Sequence, residues 1–244
     1  MTTKRTPTGK SGVATIQSAD PDKTFLIAET EAAGACLQWL AEEIYGREKA
    51  ELGVPGVYAV MDDEVAGVPP GAHCVLFTPW IYGERAPVND CYVRAAFLNL
   101  SGEHKRSDLL RAVYEGVAYN VRWLVDIVEE GFKFPLPVLR VIGGGARSRP
   151  WMQILADVTG RRVEAVANPQ ESGAGGGAGG WGRAGHLPQF CISEEGGQGG
   201  RIFQPQAENR EIYDTLFQAY QQVYRNLRSF YRRPNRDRFN RSVQ

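Results

Sequence analysis

The segment Pro137-Val-Leu-Arg-Val-Ile142 runs directly into Gly143-Gly-Gly145, and this junction decides the fold class. A short apolar run rich in β-branched residues predicts a buried strand. Three glycines in succession let the backbone turn sharply and approach another group without interference from a Cβ atom. Ser148 then suits a helix N-cap, Pro150 suits the first helical turn, and Gly160 suits the helix end. The sequence therefore predicts a strand, a glycine turn and a helix in direct succession.

The same alternation of strands and helices continues on both sides of this junction. The predicted strands cover residues 24–28, 74–78, 137–142 and 162–166, and the predicted helices cover residues 31–45, 107–131, 148–160 and 208–231. Ser107 is the predicted N-cap of the longest helix and Gly131 its predicted end, while Pro234 is expected to stop the last helix. Alternating strands and helices predict a layered α/β domain whose sheet is at least partly parallel.

Charge and composition argue against several classes of protein. The 28 lysines and arginines balance the 28 aspartates and glutamates, so no net charge favours binding to nucleic acid or to a membrane. The cysteines at 36, 74, 91 and 191 are scattered and lie at no metal-ligand spacing with a histidine, which argues against a disulfide framework and a zinc site. The first twelve residues lack the apolar core of a secretory signal. We therefore expect a reduced, cytoplasmic protein.

Three segments resemble ligand-binding motifs only superficially. Gly9-Lys10-Ser11 looks like the end of a phosphate-binding P-loop, but Lys4 stands where its first glycine belongs. Residues 175–180 satisfy G-x-G-x-x-G, yet no acidic residue follows at the distance that a dinucleotide-binding fold needs, so an oxidoreductase is disfavoured. The acidic run at residues 62–64 could bind a cation, but a solvated turn is the favoured interpretation.

Three further segments carry a more specific signal because they occur in a fixed order. The first is Thr30-Glu-Ala-Ala-Gly34-Ala-Cys-Leu-Gln38-Trp-Leu40, and the third is Gly143-Gly-Gly-Ala-Arg-Ser148-Arg-Pro-Trp151-Met-Gln153. Between them lies Pro79-Trp-Ile-Tyr-Gly-Glu84-Arg85-Ala-Pro87, followed by a spaced pattern at Ala95, Phe97, Leu100, Asp108, Leu109, Ala112, Val113 and Glu115. Together these segments resemble the FGGY carbohydrate kinases, and within them the xylulokinase branch most. The pattern departs from the family at Asn99, where glycine is usual.

The resemblance implies an α/β fold of the actin-like ATPase (ribonuclease H-like) type, and within it the C-terminal half of a sugar kinase. Residues 13–232 would form this nucleotide-binding domain, incomplete at its N-terminus, between a disordered segment at 1–12 and a basic tail at 233–244. The glycine-rich residues 171–185 stand where the family has a helix of small apolar residues. Each interior glycine costs a helix roughly 0.5–1 kcal/mol relative to alanine, so we expect this helix to fray.

The resemblance also implies the activity, which is ATP-dependent phosphorylation of a sugar hydroxyl with Mg²⁺ on the phosphates. In the family the sugar lies between two domains and the catalytic aspartate precedes the matched motifs. We therefore expect this chain to supply only the nucleotide half, with no catalytic residue and no metal ligand of its own, and to need an N-terminal domain for the sugar. A homodimer is compatible with this interpretation. The alternative is a non-catalytic kinase remnant or a nucleotide-binding module.

The resemblance assigns roles to individual residues as well. The expected nucleotide-binding residues are Gly34, Gln38, Gly143, Gly144, Gly145, Ala146 and Ser148. Glu115 and Trp151 are expected to be structural, the glutamate by facing solvent or anchoring a loop and the tryptophan by packing in the core. Arg85 is expected to pair with Glu115 or to stabilise its own loop.

Overall fold

The computed structural model describes residues 12–17, 24–166, 189–191 and 200–241. Residues 1–11 of the predicted disordered N-terminus (1–12), which include the P-loop-like Gly9-Lys10-Ser11, lie outside the described residues, and so does the predicted glycine-rich helix. The strands of the described part are β1 Val13–Gln17, β2 Thr24–Ala28, β3 Leu76–Thr78, β4 Ala96–Leu98, β5 Val138–Ile142, β6 Arg162–Ala165, β7 Gln189–Cys191 and β8 Arg201–Phe203. The α-helices are α1 Gly34–Glu43, α2 Gly46–Ala66, α3 Arg106–Phe132, α4 Arg149–Thr159 and α5 Arg210–Arg241.

The largest sheet contains the junction that the sequence singles out. Its strand order is β7-β5-β6-β8, in which β5 and β6 are parallel and the two outer strands run antiparallel to them. Helix α4 connects the two parallel strands, which makes β5-α4-β6 a βαβ unit. The prediction of an α/β domain with a partly parallel sheet is confirmed. Two antiparallel pairs, β1-β2 and β3-β4, complete the described strands.

Helix α3 forms the centre of the core. Every residue from 110 to 122 is buried, so this part of the helix is enclosed on all sides rather than along one stripe. Gly116 permits this enclosure, because a Cβ atom at that position would lie 2.3 Å from the carbonyl oxygen of Phe77 in β3. Helices α2 and α4 also pack against α3, and Tyr213 and Tyr220 of α5 are fully buried.

Several element boundaries differ from their predictions. Helix α3 begins at Arg106 rather than after Ser107, because the Asp108 side chain accepts the Lys105 backbone N–H at 2.7 Å and caps the helix two residues earlier. It continues through Gly131 and ends before Lys133, whose φ is 54°. Helix α2 is absent from the predictions, since Gly53, with φ 71°, and a following proline interrupt its apolar pattern and kink it.

The prediction that Pro234 stops the last helix is wrong, since α5 continues to Arg241. A proline within a helix removes one backbone hydrogen bond, here the one that the Phe230 carbonyl would have accepted. The Phe230 side chain is 64% exposed, so this carbonyl lies on a part of the helix that water reaches. On either side of the proline, Tyr231 is buried and the Asn235 amide donates to the Tyr92 carbonyl at 3.0 Å. These tertiary contacts hold both turns in place, so most of the predicted basic tail is helical.

Asn99 occupies a left-handed backbone conformation, with φ 63°. Glycine adopts this conformation at no steric cost and asparagine tolerates it better than most residues. The Asn99 side chain also donates to the carbonyl of Cys74 at 3.0 Å. The departure from the family glycine therefore preserves the turn.

No helix among the described residues is long and apolar enough to cross a membrane.

We predict that Gly116→Ala destabilises the fold by about 1–3 kcal/mol or more, because its methyl group would meet the Phe77 carbonyl and force α3 away from β3. Gly131→Ala in the same helix is the matched control, since nothing lies within 4 Å of a Cβ atom there. The control should be neutral or slightly more stable, because alanine favours a helix. Chemical denaturation of both variants measures the difference. Equal stability of the two would show that α3 and β3 are not in close contact.

Candidate functional site

The glycine turn lies at the carboxyl end of β5. Gly143 has φ 98° and ψ −171°, a backbone conformation that only glycine adopts readily. A 3₁₀ turn over Gly144–Arg147 follows, and α4 begins at Arg149. In open α/β sheets, ligands bind in the crevice beyond the carboxyl ends of the strands. The turn therefore occupies the place where this sheet is expected to bind a ligand.

The N–H groups available at the turn differ from those that the sequence suggests. The first N–H groups of a 3₁₀ turn have no partner within the turn, and here these are the N–H groups of Gly144 and Gly145. The start of α4 offers less than a typical helix N-terminus. Pro150 has no N–H, and the Trp151 N–H donates to the Ser148 hydroxyl at 3.2 Å. Gly144 and Gly145 are therefore the candidate donors for an anion at the turn, together with the Arg149 N–H at the start of α4.

The Ser148 hydroxyl both donates and accepts a hydrogen bond within the protein. Besides accepting from Trp151, its Oγ donates to Oδ1 of Asp62 in α2 at 2.7 Å. The Tyr114 hydroxyl of α3 donates to the same oxygen at 2.9 Å. Asp62 thus joins α2, α3 and the start of α4. Burial raises the pKa of Asp62, and the two hydroxyl hydrogen bonds counteract that rise.

The acidic run at residues 62–64 is part of helix α2, so the prediction of a solvated turn is wrong. Glu64 accepts hydrogen bonds from the Tyr45 hydroxyl at 2.6 Å and from Arg106 at 2.5 Å. Two of the three carboxylates therefore have protein partners. No group of three histidine, cysteine, aspartate or glutamate side chains within the described ranges could hold a metal ion.

Gly34 and Gln38 lie on a different element from the glycine turn. Gly34 is the first residue of α1, and the exposed Gln38 side chain donates to Glu42 at 3.0 Å within the same helix. Helix α2 packs against both α1 and α4. The predicted site residues therefore form two groups, one at the start of α1 and one between β5 and α4, and α2 contacts both helices.

Glu84, which sequence analysis left without a role, fixes the chain just ahead of α1. It is 3% exposed and accepts hydrogen bonds from the backbone N–H groups of Glu31 at 2.9 Å and Arg85 at 3.1 Å, and from the Asn120 amide at 2.8 Å. Burial raises the pKa of Glu84 to about 7, although these three hydrogen bonds favour the charged form. The motif Gly83-Glu84-Arg85 was the available sequence signal.

Arg85 does not pair with Glu115. It forms salt bridges with Glu29, at 2.7 Å, and with Glu31. The second alternative, in which Arg85 stabilises the structure around its own loop, agrees with these contacts. The expected structural role of Trp151 is confirmed, since it is 3% exposed and packs against the Tyr114 ring at 5.5 Å between centroids.

Glu115 anchors a loop, as expected, and it does so from the centre of the core. Its Oε1 accepts hydrogen bonds from Arg111 Nε at 2.7 Å, from the Tyr213 hydroxyl at 2.9 Å and from the Gly71 backbone N–H at 2.9 Å. Gly71 opens a strained segment, because the next three residues, 72–74, all have positive φ angles. The carboxylate therefore holds the strained chain that leads into β3.

Comparison with known proteins identifies the family to which this chain belongs. A model of the C-terminal domain of the FGGY family of carbohydrate kinases matches residues 1–182. The chain belongs to this family. The resemblance seen in the sequence motifs is thereby confirmed.

Its relatives include xylulose kinases. The Bacillus subtilis xylulose kinase is 30% identical over 209 residues, which cover 83% of this chain and 39% of that protein. The crystal structure of xylulose kinase from Rhodospirillum rubrum is 30% identical and has a TM-score of 0.63, again covering 83% of this chain and 39% of the other. Plasmodium falciparum glycerol kinase with ADP, at 24% identity and a TM-score of 0.53, shares the fold.

The comparisons also confirm the predicted fold class. The structural neighbours are sugar kinases with the actin-like ATPase fold, and this chain corresponds to their C-terminal half. It spans about 40% of the length of the relatives that it matches.

We predict that Asp62→Ala lowers the free energy of unfolding by about 1–3 kcal/mol, because the Ser148 and Tyr114 hydroxyls lose their shared acceptor. The neighbouring exposed residue provides the control, and Asp63→Ala should change stability by less than about 0.5 kcal/mol. Urea denaturation measures both. Equal effects would show that Asp62 does not join the three helices.

We also predict a pH dependence that arises from Glu84. Its folded-state pKa, about 7, lies above the ordinary value of 4.5, so its contribution to stability is complete below pH 4.5 and is lost as the pH rises through 7. The free energy of unfolding should therefore fall by about 2–3 kcal/mol over this range on account of Glu84. In Glu84→Gln this part of the pH dependence should be absent, whereas Glu103→Gln, at an exposed site, should retain it. Identical pH profiles for all three proteins would contradict the assignment.

Proposed function

We propose that this chain supplies the nucleotide-binding half of an ATP-dependent sugar kinase whose acceptor is a ketopentose such as xylulose. The observation that carries the proposal is the glycine turn at the carboxyl end of β5, in a chain 30% identical to xylulose kinases. Backbone N–H groups without a neighbouring Cβ atom suit the close approach of a nucleotide.

In this proposal the predicted nucleotide-binding residues have different roles. Gly143 gives the turn its shape, Gly144 and Gly145 present N–H groups, and buried Ala146 closes the turn against the core. Ser148 lies beside the nucleotide but holds the turn through Asp62, because its hydroxyl already has two partners. Gly34 and Gln38 would form a second wall of the site on α1.

Mg²⁺ would enter this site with the phosphates of ATP. Magnesium in kinases is usually held by substrate phosphates, water and one or two carboxylates rather than by a protein cage. When bound, Mg²⁺ neutralises the developing charge on the transferred phosphoryl group.

The β1-β2 hairpin supports a requirement for further polypeptide in the complete enzyme. Ala14 lies opposite Ile27 and Ile16 opposite Phe25, so four apolar side chains share one face. Ile16 is 47% and Ile27 42% exposed on this face. An isolated two-stranded hairpin is marginally stable in water. We infer that polypeptide equivalent to the remaining part of the relatives covers this face and supplies the sugar site.

The proposal predicts saturable binding of Mg-ATP, but not of NAD, by the purified chain in isothermal titration calorimetry. In Gly145→Val the affinity should fall at least about tenfold, or 1.4 kcal/mol, because the side chain blocks the approach to the turn. Gly102→Val is the control, since nothing lies within 4 Å of a Cβ atom at that position, and its affinity should be unchanged.

Each other result has a definite meaning. Unchanged ATP affinity in Gly145→Val would remove the glycine turn from the site. Binding of NAD in place of ATP would favour the disfavoured oxidoreductase. Binding of ATP together with an absence of sugar phosphorylation, even after addition of the N-terminal part of a related xylulose kinase, would favour the alternative of a non-catalytic nucleotide-binding module.

A further inference from the structure

Two backbone carbonyls at the end of the glycine turn lack the donors that a helix would provide. At α-helical spacing, the carbonyls of Ala146 and Arg147 would accept from residues 150 and 151. Pro150 has no N–H, and the Trp151 N–H donates to Ser148 instead. Unpaired carbonyls at the end of a turn weaken it, and the Ala146 side of this turn is buried.

The Arg201 side chain replaces both missing donors. Its Nη2 donates to the Ala146 carbonyl at 2.9 Å and to the Arg147 carbonyl at 3.0 Å. These two hydrogen bonds join residues more than fifty positions apart in the chain. A charged donor makes a stronger hydrogen bond than a neutral one, so a single guanidinium nitrogen can secure the turn.

The position of Arg201 is itself fixed by the sheet. It is the first residue of β8 and lies opposite Ala165, the last residue of β6. The preceding Gly200 allows the two strands to meet, because a Cβ atom there would lie 2.6 Å from the Ala165 carbonyl. Since β5 and β6 are parallel, the end of β6 and the glycine turn lie at the same edge of the sheet. Arg201 therefore reaches the turn from a strand of the same sheet.

The Arg201 guanidinium also brings a positive charge close to the glycine turn. Within the described residues Arg201 forms no salt bridge, and its hydrogen-bond partners there are the two backbone carbonyls. Arg147 and Arg149, both exposed, extend the positive region along the turn. A positive region beside N–H groups that have no partner within the turn favours a ligand that carries phosphate.

We propose that Arg201 is a positioning residue for the nucleotide, which holds the glycine turn in its binding shape through the carbonyls of Ala146 and Arg147. This inference rests on the proposed function, since it concerns the same site. It adds a residue from outside the matched range of 1–182, on the other side of the glycine-rich segment. Because Arg201 acts through the backbone of the turn, its loss should affect the whole nucleotide and not only the phosphates.

The test compares the full chain with Arg201→Gln and Arg149→Gln, two variants that each remove one positive charge near the turn. Hydrogen–deuterium exchange on the free proteins reports whether the turn is held, because the amides of Ala146 and Ser148 bond within it. Calorimetric titration with Mg-ATP and with adenosine reports the effect on binding. Arg201→Lys is a further variant that keeps the charge and can donate to a carbonyl.

In Arg201→Gln we expect at least tenfold faster exchange at Ala146 and Ser148, with unchanged exchange at Leu155 in α4, and at least tenfold weaker binding of both ligands. Arg149→Gln should leave exchange and adenosine affinity unchanged, and Arg201→Lys should restore part of the loss. Unchanged exchange in Arg201→Gln would overturn the inference. So would a loss confined to Mg-ATP, which would indicate a purely electrostatic effect. If the wild-type chain binds neither ligand, the proposed function fails together with the role in binding, and exchange alone still decides whether Arg201 holds the turn.

Discussion

The carboxylate of Glu115, buried at the centre of α3, is the constraint on which the rest of the structure depends. Burial raises the pKa of Glu115, and Arg111, one helical turn earlier in the chain, counteracts this rise. Arg111 also donates to the Val68 carbonyl at 2.6 Å and to the Tyr213 hydroxyl at 2.9 Å. A buried ion pair rarely contributes much net stability, but breaking one is costly because it leaves an unpaired charge. The network therefore fixes how α2, α3 and α5 pack, and with them the strained segment that begins at Gly71.

The candidate site is built outward from this core. Tyr114, adjacent to Glu115, donates to Asp62, and Asp62 accepts from Ser148 at the start of α4. From the edge of the sheet, Arg201 secures the carbonyls of Ala146 and Arg147 at this same end of the turn. The glycines of the turn are flexible by composition, so its shape depends on these two polar anchors. One anchor is acidic and one basic, and each belongs to a different layer of the domain.

A second network of polar groups holds the part of the site that lies on α1. Glu84 and Asn120 hold the chain ahead of α1. The side-chain oxygen of Asn120, Oδ1, in turn accepts hydrogen bonds from the Trp80 indole N–H at 3.3 Å and from the Tyr220 hydroxyl at 3.1 Å. Each of these buried polar atoms has a partner, which favours one arrangement of loop and helices over others. The start of α1 and the glycine turn are thus positioned by separate networks that meet in α3.

The sequence by itself determined the βαβ unit, the order of the motifs and the family, because apolar periodicity, caps and glycines act over a few residues. It determined Ser148 and Gly160 as the ends of α4 for the same reason. Only the tertiary structure decided that α5 continues through Pro234, that residues 62–64 are helical and that the Ser148 hydroxyl is already occupied. Arg201 and Glu84 act on backbone more than fifty residues away, and such partners leave no local pattern to read. Local propensity is weak beside the free energy of burial and of satisfying buried polar groups, so packing decided these features.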